Sequence, residues 1–300
     1  MEVAAIIFFL DLFCLLFLHK SCAELHTISD SQFLTDRDIL VSDNGIFELG
    51  FFQSDSPENR YLGIRYKKIP VTTLVWVANR EQPLASASAL VFKIIDPGIL
   101  VLFNNIRVIW SSNSTTESIN ATAKLRDTGN LALMDQHENV LWQSFDYPTE
   151  HWLPGMKMGN DYLRGIEWRL SSWKSSQHPL VGEFTWAAGK HGFPSFILKQ
   201  GSVVKFRSEL WRNQRLKGIS SFSRNMTFSY YAIVNESEVY IAYNIENSST
   251  LLRITLSSSG ILETWGWVEG GKNWSLECHS LKISVIHTTF AVLMEAASLF

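Results

Sequence analysis

Apolar and polar positions alternate in short runs through residues 24–147, and turn-forming residues separate the runs. This alternation is typical of strands with one packed face. It predicts nine strands, at residues 46–52, 61–66, 73–78, 89–95, 99–103, 108–111, 121–125, 131–134 and 140–142. No stretch has a helical period over ten residues. The pattern therefore predicts an all-β first domain.

Three copies of a hairpin motif recur within this domain. An Asp-x-Gly turn begins at Asp43, Asp96 and Asp127, and bulky apolar residues follow each glycine at two and four places. Each copy carries a tryptophan on a later strand, and these are Trp76, Trp110 and Trp142. A single hairpin cannot bury its own apolar face. The three copies therefore predict one shared core.

A second β domain is predicted over residues 152–275. Its strands are expected at residues 182–188, 194–200, 202–208, 228–234, 238–244, 250–256 and 260–268. Gly, Ser and Asn turns separate these runs. Residues 1–23 and a divergent tail, residues 276–300, flank the two domains.

Composition limits the classes of partner. A chain of 300 residues with 46% hydrophobic and 18% charged residues suits two globular domains. The net charge of −3 and the pI of about 6.2 give no basic footprint for nucleic acid or for an anionic membrane. The sequence thus predicts that the chain binds no nucleic acid.

The first 23 residues predict a secretory signal peptide. An apolar run at residues 3–18 is followed by Ser21, Cys22 and Ala23, whose small side chains suit a signal-peptidase site. Glu2 and Asp11 depart from the usual pattern, so an uncleaved anchor is the alternative. The predicted location is secreted or extracellular, with the extracellular face of the plasma membrane as the alternative.

Six Asn-x-Ser/Thr sequons support export. They begin at Asn113, Asn120, Asn225, Asn235, Asn247 and Asn273. Removal of the signal would leave Cys278 as the single cysteine, a free thiol that predicts a disulfide-linked dimer in an oxidising compartment.

No catalytic or metal-binding constellation stands out in the sequence. Asp127, Asp146 and Glu150 do not have the spacing of a catalytic pair, and the histidines lack metal-ligand spacing. Phosphate-binding loops and nucleophile elbows are also missing. We therefore expect no enzyme activity, no cofactor and no metal, and expect the loops at residues 53–60 and 208–224 to recognise a partner.

Four longer motifs stand out, namely YLGIRYKKIPVTTLVWVANREQPL at residues 61–84, LRDTGNLALMD at 125–135, LWQSFDYPTEHWLPGMKMG at 141–159 and SSWKSSQHP at 171–179. They resemble motifs of the plant S-domain family, which comprises S-locus glycoproteins and G-type lectin S-receptor-like serine/threonine kinases. The resemblance implies a bulb-type lectin β-prism of three pseudo-symmetric sheets, followed by a second lectin-like S-locus glycoprotein domain. It also implies that Trp76, Trp110 and Trp142 are buried at the axis of the prism.

The same resemblance implies a recognition function. Pollen recognition in self-incompatibility and perception of a signalling ligand are the roles expected from the family, with a protein or peptide ligand or a receptor kinase as partner. Carbohydrate is a further possible partner. One alternative is a truncated receptor-kinase ectodomain without its kinase, since residues 276–300 depart from the family pattern. A membrane helix over residues 283–300 is the alternative for that tail.

A mannose-binding lectin is the other alternative. Bulb lectins bind mannose through Q-x-D-x-N-x-V-x-Y. The aligned positions here are Ser42, Asn44, Ile46, Glu48, Gly50, then Ile95, Pro97, Ile99, Val101, Phe103, then Arg126, Thr128, Asn130, Ala132, Met134. Among the polar positions Asn130 alone matches, and it also suits a turn. Loss of several hydrogen-bonding groups at once predicts that mannose binding is absent.

Overall fold

The computed structural model describes residues 24–54, 59–85, 89–114, 118–189, 195–208, 228–246, 250–268 and 270–281. Within these ranges the chain forms strands and a short 3-10 helix at Ser144–Asp146. The predicted all-β class is confirmed. Residues 1–23, the tail beyond Leu281, Asn225 and Asn247, half of the predicted recognition loop at 53–60 and all but the first residue of the one at 208–224 lie outside the described residues.

The first domain consists of three sheets. Its strands are β1 Glu24–Leu25, β2 Thr27–Ser29, β3 Phe33–Leu34, β4 Ile39–Val41, β5 Phe47–Gln53, β6 Asn59–Tyr66, β7 Leu74–Val77, β8 Leu84–Ala85, β9 Leu90–Ile95, β10 Ile99–Asn104, β11 Arg107–Ser111, β12 Thr122–Leu125, β13 Leu131–Met134 and β14 Val140–Gln143. The strand orders are β1-β4-β5-β6-β7 with β8 beside β6, then β11-β10-β9-β3, and β14-β13-β12-β2. Each predicted hairpin repeat therefore forms one sheet, completed by short strands from the start of the domain.

The repeated turn glycines have a conformational role. Gly45, Gly98 and Gly129 have φ angles of 65°, 94° and 87°. A residue with a Cβ atom is strained in this left-handed region, whereas glycine is not. The recurrence of glycine in the Asp-x-Gly turns thus follows from the backbone conformation that each hairpin needs.

The second domain also contains three sheets, of four strands each. Its strands are β15 His151–Trp152, β16 Met158–Asp161, β17 Ile166–Trp168, β18 Leu170–Ser175, β19 His178–Ala188, β20 Phe196–Gln200, β21 Val203–Arg207, β22 Phe228–Val234, β23 Glu238–Ile245, β24 Thr250–Leu256, β25 Leu262–Val268 and β26 Ser275–Leu281. The orders are β15-β24-β25-β26, β17-β16-β23-β22 and β18-β19-β20-β21.

Strand β26 extends six residues beyond the predicted boundary at residue 275. It pairs antiparallel with β25, and the backbone of Cys278 lies opposite Thr264. The start of the divergent tail is therefore part of a sheet as far as Leu281. The missed strand follows the strand at 262–268 through a short connection and forms the outer edge of its sheet.

One hydrophobic core is shared by the two domains. Buried residues of the first domain such as Phe47 and Leu131 belong to the same cluster as Leu153 and Ile254 of the second. Hydrogen bonds also cross the boundary, since the Arg80 guanidinium donates to the Ser172 carbonyl over 2.8 Å. Shared burial and these bonds fix the relative position of the domains.

Candidate functional site

A cleft of about 820 Å³ lies between the two domains. Pockets of roughly 300–1,000 Å³ that lie at domain interfaces often bind small ligands. The end of strand β11 and the residues after it form one wall, and residues of the second domain such as Glu167, Arg169 and Val181 form the other. The cleft is therefore our first candidate site.

The three repeat tryptophans lie at the base of this cleft. Trp76, Trp110 and Trp142 come from three different sheets, and their ring centroids are 5.5–5.9 Å apart in edge-to-face arrangements. Trp76 and Trp142 are each 5% exposed, and Trp110 is half-buried. Edge-to-face rings attract beyond their buried area. The triad thus joins the three hairpins and also presents aromatic surface to the cleft.

Tyr147 adds an exposed ring to the cleft. Its ring stacks on Trp142 with centroids 5.7 Å apart and planes 13° apart, while its backbone carbonyl accepts a 3.0 Å hydrogen bond from the Trp76 indole. The side chain is 50% exposed. Burial raises the pKa of its phenol, and the nearby Asp146 acts in the same direction. Tyr147 therefore remains a neutral aromatic surface at physiological pH.

Asp146 fixes the same segment to the second domain. Its buried carboxylate accepts hydrogen bonds from the Trp168 indole over 2.8 Å and from the Arg164 guanidinium over 2.9 Å. Gln143 also donates to it, over 3.2 Å. A buried carboxylate is stable only when paired in this way. Asp146 is therefore a structural anchor with its acceptor positions occupied.

Arg80, which also lines the cleft, is a second connection from the first domain to the second. Its guanidinium donates to the backbone carbonyls of Pro179, Ser171 and Ser172 over 2.9, 3.2 and 2.8 Å. Burial lowers its pKa to about 10, and the carboxylates of Glu150 and Glu81 oppose that shift. The group stays charged at neutral pH, and its donors are directed to the backbone of the second domain.

A buried polar cluster at the domain interface surrounds His151. Glu150 lies 3.0 Å from Nε2 of this histidine, and the Thr255 hydroxyl lies 2.9 Å from Nδ1. Burial lowers the pKa of His151, although Glu150 acts against that shift. Arg253 approaches Nδ1 at 3.4 Å and lies 4.6 Å from the Trp274 ring. The imidazole is thus neutral and structural, with a proton on Nε2 facing Glu150.

The carboxylates considered in the sequence are dispersed. Asp127 accepts two hydrogen bonds from Asn44, Asp146 contacts Trp168, and Glu150 contacts His151. Each therefore has a structural partner. In the described ranges, no cluster of three or more His, Cys, Asp or Glu side chains is arranged to hold a metal ion.

Two of the positions that align with the mannose-binding motif form hydrogen bonds within the fold. Asn130 is 4% exposed, donates to Gln143 over 2.8 Å, and accepts from Ser144 and from the Phe145 N–H. Its amide is therefore bonded within the fold, and a role for Asn130 in sugar binding stays a prediction. In the first repeat, Ser42 Oγ accepts two backbone N–H groups and is fully buried.

Four of the six sequon asparagines are described, and all four are exposed. They are Asn113, Asn120, Asn235 and Asn273. Asn113 also lines the inter-domain cleft. Glycan attachment at these positions stays a prediction, as does the dimer through Cys278, whose side chain is outside the described part of the structure.

Two features were missed in the sequence. Arg80 and Tyr147 lie within the motifs at residues 61–84 and 141–159, but neither was assigned a role. The partners of Arg80 are backbone carbonyls far along the chain, which no spacing rule would identify. Among the described residues, no helix has the length and apolar character required to cross a bilayer.

Comparison with known proteins agrees with this architecture. A family model described as D-mannose binding lectin matches residues 73–174, and one described as S-locus glycoprotein domain matches residues 206–284. The S-locus-specific glycoprotein S6 of Brassica oleracea is 36% identical over 267 residues, covering 86% of this chain and 61% of the glycoprotein. The receptor-like serine/threonine-protein kinase SD1-8 of Arabidopsis thaliana is 34% identical over 274 residues, covering 89% of this chain and 32% of the kinase.

The matched region is thus a part of each relative. The chain spans about three fifths of the length of the glycoprotein and about a third of that of the kinase. A solved structure of monomeric mannose-binding lectins from Gastrodia elata covers 40% of this chain and 96% of that chain at 19% identity, with a TM-score of 0.31.

Proposed function

Because this chain belongs to the family of S-locus glycoproteins and G-type lectin S-receptor-like kinases, we propose that it is a secreted or cell-surface glycoprotein that recognises a protein ligand. Two observations support this proposal. The relatives named above include both glycoproteins and receptor-like kinases. The second domain also presents apolar side chains on its outer strands.

The exposed outer strands carry the proposal. Strands β21 and β22 are the outer members of their sheets. Val203 is 56% exposed and Val234 is 47% exposed, and Tyr231 also faces solvent. An outer strand offers backbone N–H and C=O groups to an incoming strand, and apolar side chains beside it supply hydrophobic contact. Each of these two outer strands suits a protein or peptide ligand, including the extracellular part of a receptor kinase, better than it suits a sugar.

Export is tested by expression in a plant secretory system. We expect residues 1–23 to be absent from the secreted product and a glycosidase to remove mass from it. Retention inside the cell, with residues 1–23 intact and no glycan, would contradict the proposal.

Recognition is tested by binding of fluorescently labelled secreted protein to intact plant cells. Val203→Glu combined with Val234→Glu places one charge on each of the two outer strands and should lower binding by at least about tenfold, since desolvating a charge in an interface is costly. The matched control is Val108→Glu, because Val108 is 49% exposed on the outer strand β11 of the first domain. Equal loss in the control would contradict a site on the second domain.

Mannose binding is not favoured as a second function. The Asn130 amide is buried and bonded to Gln143, so we expect no retention on a mannose column. Retention that free mannose reverses would overturn this expectation.

A disulfide-linked dimer is the remaining proposal on partners. Cys278 lies on the outer strand β26, where the edge of a sheet is accessible to a second copy. Non-reducing electrophoresis should show a dimer that disappears with reductant and in Cys278→Ser. A monomer with a thiol that resists alkylation would contradict it.

A further inference from the structure

We propose that the N-linked glycan at Asn113 folds back into the inter-domain cleft of its own chain and occupies it. This inference rests on the proposed export, because sequons are modified in the secretory pathway. It assigns an occupant to the cleft and separates the cleft from the protein-binding surface of the second domain.

The position of Asn113 is the first observation. Strand β11 ends at Ser111, and Ser112 and Asn113 continue along the wall of the cleft. Asn113 adopts a left-handed conformation with a φ of 48°, and its N–H donates to the Ser111 hydroxyl over 3.1 Å. Its side chain is exposed. A glycan on this residue therefore begins at the cleft itself.

The chemistry of the cleft is the second observation. The two buried charged side chains at its margins are already paired, Arg80 with backbone carbonyls and Asp146 with Arg164 and Trp168. The exposed Glu167 and Arg169 lie 3.4 Å apart as an ion pair. The remaining charged residue of the lining, Glu81, is exposed to solvent and acts on the Arg80 guanidinium. The cleft thus has no strong requirement for an ionic ligand.

The accessible surface suits a neutral amphipathic ligand. Tyr147 and Trp110 offer aromatic rings, and the exposed Gln82 offers an amide that both donates and accepts hydrogen bonds. A sugar ring has an apolar C–H face for the aromatic surface and hydroxyl groups for the amide. The volume of about 820 Å³ is sufficient for a small ligand of this kind.

Attachment makes weak contacts sufficient. A ligand joined to its site by a short linker has an effective concentration in the millimolar range. A free sugar with a Kd of about 0.1 mM would rarely be bound at low concentration, whereas a tethered one at roughly 1 mM would occupy the cleft for about nine tenths of the time. Asn113 also precedes Asp146 and every second-domain residue of the cleft in the chain, so a glycan added during synthesis is present before the second wall forms.

The experiment measures endoglycosidase release from the native secreted protein, site by site, by mass spectrometry. Asn120 is the matched control, since it is exposed, lies near Asn113 in the chain, is left-handed with a φ of 61° and is absent from the cleft lining. We expect release at Asn113 to be about tenfold slower, as for a glycan that is undocked for about a tenth of the time. Denaturation should make the two rates equal.

Two sets of variants complete the test. Tyr147→Ala removes the exposed ring and should bring the release rate at Asn113 up to that at Asn120. Asn113→Gln and Thr115→Ala both abolish the sequon, and both should lower the Tm by about 2–4 °C more than Asn120→Gln does. Agreement between them assigns the effect to the glycan, because Thr115→Ala keeps the asparagine.

Each outcome is decisive. Equal native release at the two sites, or an Asn113 that carries no glycan while the other sequons do, would overturn this inference alone. A secreted chain without glycans at any sequon would overturn the premise of glycosylation, and a chain that is not exported would overturn the proposed function.

Discussion

The two domains contain three sheets each, but the chain builds them differently. In the first domain, each sheet is built around a run of consecutive strands, such as β9 to β11 and β12 to β14, and short early strands complete it. In the second domain, β18 to β21 are also consecutive, but β16 pairs with β23, and β15 pairs with β24. The second arrangement joins strands that are far apart in the sequence. A repeated sequence is therefore not required for a three-sheet architecture.

The aromatic side chains differ in the same way. The first domain has a central tryptophan triad to which each sheet contributes one ring. The second has separate groups, in which Trp186 stacks on Phe196 and Trp168 contacts Tyr240. A shared centre needs the same residue at the same place in each sheet, whereas separate groups do not. This explains why a repeat is visible in the first domain only.

The largest expected effect is the loss of a ring from the triad. Trp142→Ala should lower the free energy of unfolding by about 3–5 kcal/mol, because it removes a buried indole and leaves a cavity. Urea denaturation monitored by circular dichroism measures this. In double mutants, Trp142→Ala should couple with Trp110→Ala by about 0.5–3 kcal/mol and add independently to Trp186→Ala. Simple additivity with Trp110→Ala would disprove a shared centre.

A smaller loss is expected at the turn that touches the second domain. A Cβ atom on Gly129 would lie 2.9 Å from Leu153 Cδ1, and the residue has a φ of 87°. Gly129→Ala should therefore cost about 2–3 kcal/mol from strain and overpacking. At Gly45 the nearest atom is a flexible Lys68 carbon at 3.6 Å, so Gly45→Ala should cost about 1 kcal/mol of strain. Equal losses by urea denaturation would contradict the structure of the repeat turns.

The connection between the domains is tested at Asp146. Asp146→Ala leaves the buried Trp168 indole N–H without its acceptor, which should cost about 1–2 kcal/mol. Asp146→Asn keeps an oxygen for that donor and should cost about half as much. Differential scanning calorimetry measures both. If the two variants were equally stable, Trp168 would not depend on this acceptor.

The smallest effect concerns pH and the second domain. Burial alone would raise the pKa of Asp161, but hydrogen bonds from the Arg164 backbone and guanidinium outweigh it, and the pKa lies below its ordinary value of 3.8. The stabilisation is thus complete above about pH 4 and is lost as pH falls through the lowered pKa. Asp161→Asn should remove less than about 1 kcal/mol at pH 7 and flatten acid unfolding below pH 4. An unchanged acid profile would contradict this contribution.

The sequence predicted the long strands better than their partners. Alternation identified the nine principal strands of the first domain, because each has at least three residues and one packed face. It missed β1 to β4, which have two or three residues and are defined by distant pairing, such as that of Thr27 with Lys124. The pairing of β16 with β23 could not be predicted either, because the residues of one strand do not identify the strand with which it pairs.

The candidate site was less predictable than the fold. The tryptophans were identified because they recur, and their mutual contact follows from the repeat. Arg80 was missed because its partners are backbone carbonyls at Ser171, Ser172 and Pro179, which leave no trace in residue type. Asn130 matched a sugar-binding position by residue type. In the structure, however, its amide forms hydrogen bonds with Gln143 and Phe145.

The contact of Trp274 with the first domain has a consequence for biosynthesis. Its indole donates to the Thr73 hydroxyl over 2.9 Å, and its ring lies 5.3 Å from that of Tyr66. Thr73 and Trp274 are 201 residues apart, which a ribosome translates in roughly 10–40 s at about 5–20 residues per second. Throughout that interval Tyr66 and Thr73 of the nascent first domain lack their contact with Trp274. A nascent chain that has not reached Trp274 therefore leaves the Tyr66 ring without one of its two aromatic contacts, and synthesis of the residue just before β26 supplies it.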